Sequence, residues 1–132
     1  MKILDAGHEY ELDCLDGDLK QIIVFVKREG QKFPFNIGKH AGTNCQEVLR
    51  ALIDRTEYLQ KQQPCAETEC IISSLKTALL LFELRAAREH GMSLKLRHTE
   101  ELMWGFCAKC GHLTCKCEYL CQDQRLKQTK TN

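Results

Sequence analysis

The chain has 132 residues, room for one modest core and a small appendage, and its 19 Lys and Arg stand against 18 Asp and Glu. That balance excludes the strongly basic surface of a duplex-binding protein, so nucleic acid is not the expected partner. No apolar run approaches the roughly 18–20 residues needed to cross a bilayer, and Met1-Lys2-Ile3-Leu4-Asp5 lacks the shape of a signal peptide. A cytoplasmic protein without a membrane partner is therefore expected.

In chain order, the first predicted elements are two strands, Tyr10 to Leu15 and Gln21 to Val26, joined by the turn Asp16-Gly17-Asp18. From Lys27 to Thr43 the pattern becomes loop-like, broken by Gly30, Pro34, Gly38 and Gly42, with Lys27, Arg28, Lys32, Lys39 and His40 supplying local positive charge. Residues 1–43 thus form a β-hairpin or small sheet followed by a loop.

Residues 44–91 read as an antiparallel two-helix hairpin. Asn44 is a good N-cap and Glu47 completes a capping box, which gives the first helix its start. Cys45, Val48, Leu49, Leu52, Ile53 and Leu59 then fall at the spacing of one helical face. After the turn Gln62-Gln63-Pro64-Cys65, a second helix carries Ile71, Ile72, Leu75, Ala78, Leu79 and Phe82, and Gly91 stops it. The run Ala78-Leu79-Leu80-Leu81-Phe82-Glu83-Leu84 is too apolar for a single stripe, and such a helix needs cover on more than one side. Leu80, Leu81 and Leu84 are expected to find it on the N-terminal sheet or on another protomer, so a homo-oligomer is expected. Each such side chain left in water forfeits roughly 1.5–3 kcal/mol of burial.

Beyond Gly91 a polar link leads to a short helical candidate near Thr99 to Trp104 and then to five cysteines within 15 residues: Cys107, Cys110, Cys115, Cys117 and Cys121. The Cys107-x2-Cys110 pair, followed by Gly111, has the geometry of a tight turn presenting two thiolates to one zinc ion. Six candidate ligands, those five and His112, compete for about four positions. Cys115 and Cys117 close the smallest site, whereas Cys110, Cys115 and Cys121 approximate the spacing of a zinc knuckle, and His112 can replace one sulfur; the expected ligands are Cys107, Cys110, Cys115 and Cys117. The zinc is expected to be structural, because a catalytic ion needs an open position and a nearby base, and Glu118 is the one acidic residue inside the cluster. An odd total of nine cysteines without a secretion signal also argues against a disulfide framework. Cys14, Cys45, Cys65 and Cys70 are dispersed and are expected to be small buried hydrophobes. Residues 92–121 are then a linker and a zinc-binding appendage, and the polar tail 122–132 is expected to be disordered. The expected fold class is α+β.

Four stretches of the hairpin resemble one known family. They are Glu47-Val48-Leu49-Arg50-Ala51-Leu52-Ile53-Asp54-Arg55, Pro64-Cys65-Ala66-Glu67-Thr68-Glu69, Leu75-Lys76-Thr77-Ala78-Leu79 and Glu83-Leu84-Arg85-Ala86-Ala87-Arg88. Together they resemble the hairpin domain of phage anti-defence sponges, the anti-Thoeris and anti-CBASS proteins that sequester nucleotide second messengers without cleaving them. The resemblance covers about 50 of the 132 residues. It implies a homo-oligomer with pockets at subunit contacts, and a cyclic-oligonucleotide or cyclic ADP-ribose-type ligand bound in the host cytoplasm.

A nucleotide needs places for phosphate and base. Phosphate is best served by Gly42-Thr43-Asn44, where the amides and dipole of a helix start favour an anion, with Lys39 and His40 adding charge just before. The same three residues also read simply as a helix cap. Phe33, Phe35 and Tyr58 are candidate stacking surfaces or packing residues. Arg85 and Arg88 share a face at the end of the second helix, where cations are favourable in any case. The resemblance assigns ligand contacts to arginines at this end of the hairpin, and Arg85 matches the motif better than Arg88, whose spacing departs by one residue. Arg50 is a further candidate contact; with Asp54 and Arg55 it also fits a solvated face of i,i+4 ion pairs.

Catalysis finds little support. His112-Leu113-Thr114 is a single His-x-Thr where phosphodiesterases of that class use two, and no P-loop, HExxH or Ser-His-Asp order is present. Binding without chemistry is the expectation. The rival is a zinc-knuckle nucleic-acid-binding or adaptor protein in which Trp104, Phe106 and Lys109 contact single-stranded RNA.

Overall fold

The computed structural model describes residues 1–26, 41–91, 93–94 and 102–103. It is α+β: three strands, β1 (Lys2–Asp5), β2 (Glu9–Leu12) and β3 (Gln21–Val24), precede two helices, α1 (Cys45–Gln62) and α2 (Ala66–Glu89). Two compact units divide the chain, Met1–Val48 and a second that begins at Leu49.

The first unit is an antiparallel sheet in the order β1-β2-β3. Ile3 pairs with Tyr10 and Tyr10 with Ile23, which sets these three side chains in a row across one face. Gly7 and Gly17 turn the chain between strands with φ of 79° and 90°, values open to glycine at little cost. β1 was not expected from sequence, whereas the β2–β3 pair was, with longer strands than those found. The chain returns to β3 at Thr43, whose amide donates to the Val24 carbonyl at 2.8 Å while the Val26 amide donates to the Thr43 carbonyl at 2.8 Å. That parallel contact between Phe25 and Thr43 brings Gly42 so near the strand that a Cβ there would lie 2.5 Å from the Phe25 carbonyl carbon. Glycine is required by this close approach.

Helix α1 begins as its capping residues predict: Asn44 Oδ1 accepts from the Glu47 amide at 2.8 Å. Cys65 occupies the N-cap of α2 in extended conformation without a side-chain cap bond. Gly91, at φ 67°, ends the second helix in the left-handed conformation typical past a C-terminus. Within the second unit the helices run antiparallel, because Arg50 meets Glu83, Glu57 meets Lys76 and Gln60 meets Glu69 in reversed order.

The apolar core of this unit is narrow. Ile53 and Leu79 are fully buried, Leu102 joins them from beyond α2, and Leu49, Leu75, Leu80, Leu94 and Met103 pack around the edge. Leu80, expected to need cover from the N-terminal sheet or another protomer, is half-buried against this cluster. Leu81 and Leu84 remain exposed, as do Leu52, Leu59 and Ile71. A pair of helices covers only one side of each, so the apolar spacing on α1 marks a wider stripe than its partner can bury. The four dispersed cysteines also depart from expectation. Cys14 is half-buried, and Cys45, Cys65 and Cys70 are exposed, since each lies at a helix end, on an outer helical face or after a strand.

Among the described residues, no helix is long and apolar enough to cross a membrane.

Candidate functional site

The residues expected to bind a ligand fall in three places. Lys39 and His40 lie outside the described residues, as do Phe33, Phe35 and the whole cluster Cys107, Cys110, His112, Cys115, Cys117 and Cys121. Gly42, Thr43 and Asn44 belong to the sheet unit. Arg50, Arg85 and Arg88 belong to the helical unit.

At the start of α1 the local bonds are already partly committed. Thr43 spends its amide on Val24, and Glu47 spends its amide on the Asn44 side chain. An anion docking here would be met by the amides of Cys45 and Gln46 at the positive end of the helix dipole. Gly42 keeps its backbone against β3, so its role in the strand contact is visible without a ligand.

Arg50 is placed quite differently from a surface arginine. Its guanidinium donates through Nη2 to Glu83 Oε1 and through Nε to the Leu102 carbonyl, the latter at 3.1 Å. Glu83 is 3% exposed and the Arg50 side chain 11% exposed. The solvated i,i+4 network with Asp54 is replaced by a bridge across the hairpin, which also fastens the chain that returns after α2. A charge pair this dry persists because each member satisfies the other, and the added carbonyl bond offsets part of the desolvation cost. Sequence alone does not single out Glu83. Its signal was its place in the repeat Leu79, Glu83, Ala87, one helical stripe whose other members are buried.

Arg85 and Arg88 lie on the exposed side of α2 near its C-terminal end. Arg85 Nε donates to Glu89 Oε1 at 3.1 Å, and its side chain is 65% exposed, so the contact is a weak surface pair that a more highly charged partner can displace. Tyr58 is 52% exposed, not a packing residue. The Arg55 guanidinium lies 5.5 Å from its ring centroid, and its hydroxyl accepts from Gln62 Nε2 at 3.0 Å.

The sheet carries a shallow apolar hollow of about 200 Å³ lined by Met1, Tyr10, Leu12, Ile23 and Phe25, with the Tyr10 and Phe25 rings edge to face at 5.9 Å. Its lining is suited to an apolar group and offers no cation to a phosphate. Among the described residues, no group of three or more His, Cys, Asp or Glu side chains converges as a metal site would require.

Comparison with protein-family models, curated proteins and solved structures finds no match for this chain.

Proposed function

We propose that this protein is a phage anti-defence sponge: a non-catalytic homo-oligomer that binds a cyclic-oligonucleotide or cyclic ADP-ribose-type immune messenger in the host cytoplasm and withholds it from its receptor. The observation that carries the reading is that the four resembling stretches fall on the antiparallel hairpin α1–α2 and its turn, and that Arg85, the better motif match, stands exposed near the end of α2. An arginine so placed can turn its planar fork of N–H donors onto a phosphate and form two charge-assisted hydrogen bonds. Arg88 adds charge near it. The helix start at Gly42-Thr43-Asn44, with Lys39 and His40, supplies a second anion-favouring element. Arg50 contributes by holding the hairpin through Glu83, and any contact it makes with the messenger is added to that duty.

In the same reading, Cys107, Cys110, Cys115 and Cys117 hold a structural zinc ion, a donor set whose thiolates match its preference.

The test is calorimetric titration of the full chain with cyclic GMP–AMP and with a cyclic ADP-ribose isomer. One of them should bind with sub-micromolar affinity. Arg85→Ala should weaken that binding by about tenfold or more, equal to ~1.4 kcal/mol, with helical circular dichroism unchanged. Absence of binding by the unaltered chain overturns the proposal.

A further inference from the structure

The outward side of α2 carries a pattern that the hairpin leaves unused. Opposite the buried stripe of Leu79, Glu83 and Ala87, helical spacing sets Glu67, Ile71, Ser74, Leu81, Leu84 and Arg88, all of them exposed. Leu81 is 60% exposed, more than any other leucine of the two helices. Aliphatic side chains in water at the centre of a long helix call for a partner.

The order of these residues indicates which partner. Helix α2 runs from Ala66 to Glu89, so its midpoint falls between Thr77 and Ala78. A second copy turned end for end about that point sets the level of Glu67 against the partner's Arg88, that of Ile71 against the partner's Leu84, and that of Ser74 against the partner's Leu81. Acid then faces base, aliphatic faces aliphatic, the most exposed leucine faces a small side chain, and Arg85 stands level with the partner's Cys70. Thr77 and Ala78 at the centre are small enough for the two helices to approach closely. A parallel pairing would instead stack Glu67 on its own copy and Arg88 on its own copy, with like charges together and the helix dipoles aligned.

We infer that the protein forms a two-fold symmetric antiparallel dimer through the outer face of α2, centred on Thr77 and Ala78. The same surface patch serves both protomers, as a two-fold interface requires. This inference rests on the homo-oligomer part of the proposed function and adds to it the surface, the orientation and the register.

Sedimentation equilibrium on the full chain, over a concentration series, tests it with Glu67→Arg, Arg88→Glu and the two combined. Each single reversal should weaken self-association by about tenfold, and the combination should restore it to within about threefold of the unaltered chain. A second measurement does not depend on the charge variants: mild oxidation of Thr77→Cys, with peptide mapping, should join position 77 to its own copy. Self-association that ignores both reversals, with no 77–77 link, overturns the α2 register while the oligomer reading survives. A chain monomeric at about 100 µM, far above the dissociation constant of a stable dimer, overturns both.

Discussion

In the N-terminal sheet the ionic contacts lie on the surface and backbone bonds carry the architecture; in the helical hairpin one ion pair, Arg50–Glu83, lies inside, while Lys76–Glu57 and Arg85–Glu89 stay nearer the surface. Asp13 illustrates the first case. Its carboxylate accepts from Lys20 Nζ at 2.7 Å and from the terminal ammonium of Met1 at 3.0 Å, with all three groups open to water. Arg50 and Glu83 illustrate the second, with both partners withdrawn from water. A charge on the surface can be deleted and its partner rehydrates, whereas a charge deleted from the interior strands the other. The comparison also bears on function, because Arg50 is both a candidate ligand contact and a structural strut. Substituting it confounds binding with folding, which makes Arg85 the cleaner probe of the ligand.

The largest break in this comparison is Arg50→Met. It takes the Arg50 guanidinium away from the buried Glu83 carboxylate and should destabilise the chain by about 3–5 kcal/mol in urea unfolding, whereas Arg50→Met combined with Glu83→Leu should recover most of that loss. Equal destabilisation by the single and double variants would contradict the buried-pair account. Next is Gly42→Ala, which presses a methyl group into the backbone of Val24 to Val26 and should cost about 1–3 kcal/mol. A neutral result would mean that the Thr43 contact with β3 is not needed for stability.

The smallest effect belongs to Asp13. The hydrogen bond from Lys20, followed by that from the Met1 ammonium, lowers its pKa to about 2, and the same contact with Asp13 raises that of Lys20. A carboxyl group lowered on folding stabilises the protein above its ordinary value near 3.8, and loses that contribution as the pH falls toward 2. Because the carboxylate is fully exposed, Asp13→Asn should scarcely move the neutral-pH midpoint and should slightly flatten the acid limb between about pH 4 and pH 2. A large neutral-pH loss would make the surface pair structural and erase the contrast with Arg50.

Local chemistry made much of the fold legible. The Asn44 cap and the glycine stop at Gly91 announce the helices because each acts within one turn of its own position. Strand β1 did not announce itself, since Lys2-Ile3-Leu4-Asp5 is four exposed residues with no sustained alternation. The Arg50–Glu83 bridge joins positions 33 residues apart, beyond any spacing rule within a helix, and only the apolar setting of Glu83 hinted at it. Gly42 was readable as a chain breaker but not as a contact point, because what crowds it, the backbone of Val24 to Val26, lies far from it in sequence. Exposure of Leu52 and Leu59 escaped the pattern for a related reason: periodicity reports which side chains share a face, not how much of that face the neighbour covers.

The central claim, capture of a nucleotide messenger without chemistry, is tested most directly by loading the purified chain with the nucleotide it binds, removing the excess, denaturing it with heat and identifying what is released by mass spectrometry. The account predicts that the nucleotide is recovered intact and in stoichiometric proportion to protein. Recovery of a cleaved nucleotide, or of none, would contradict it.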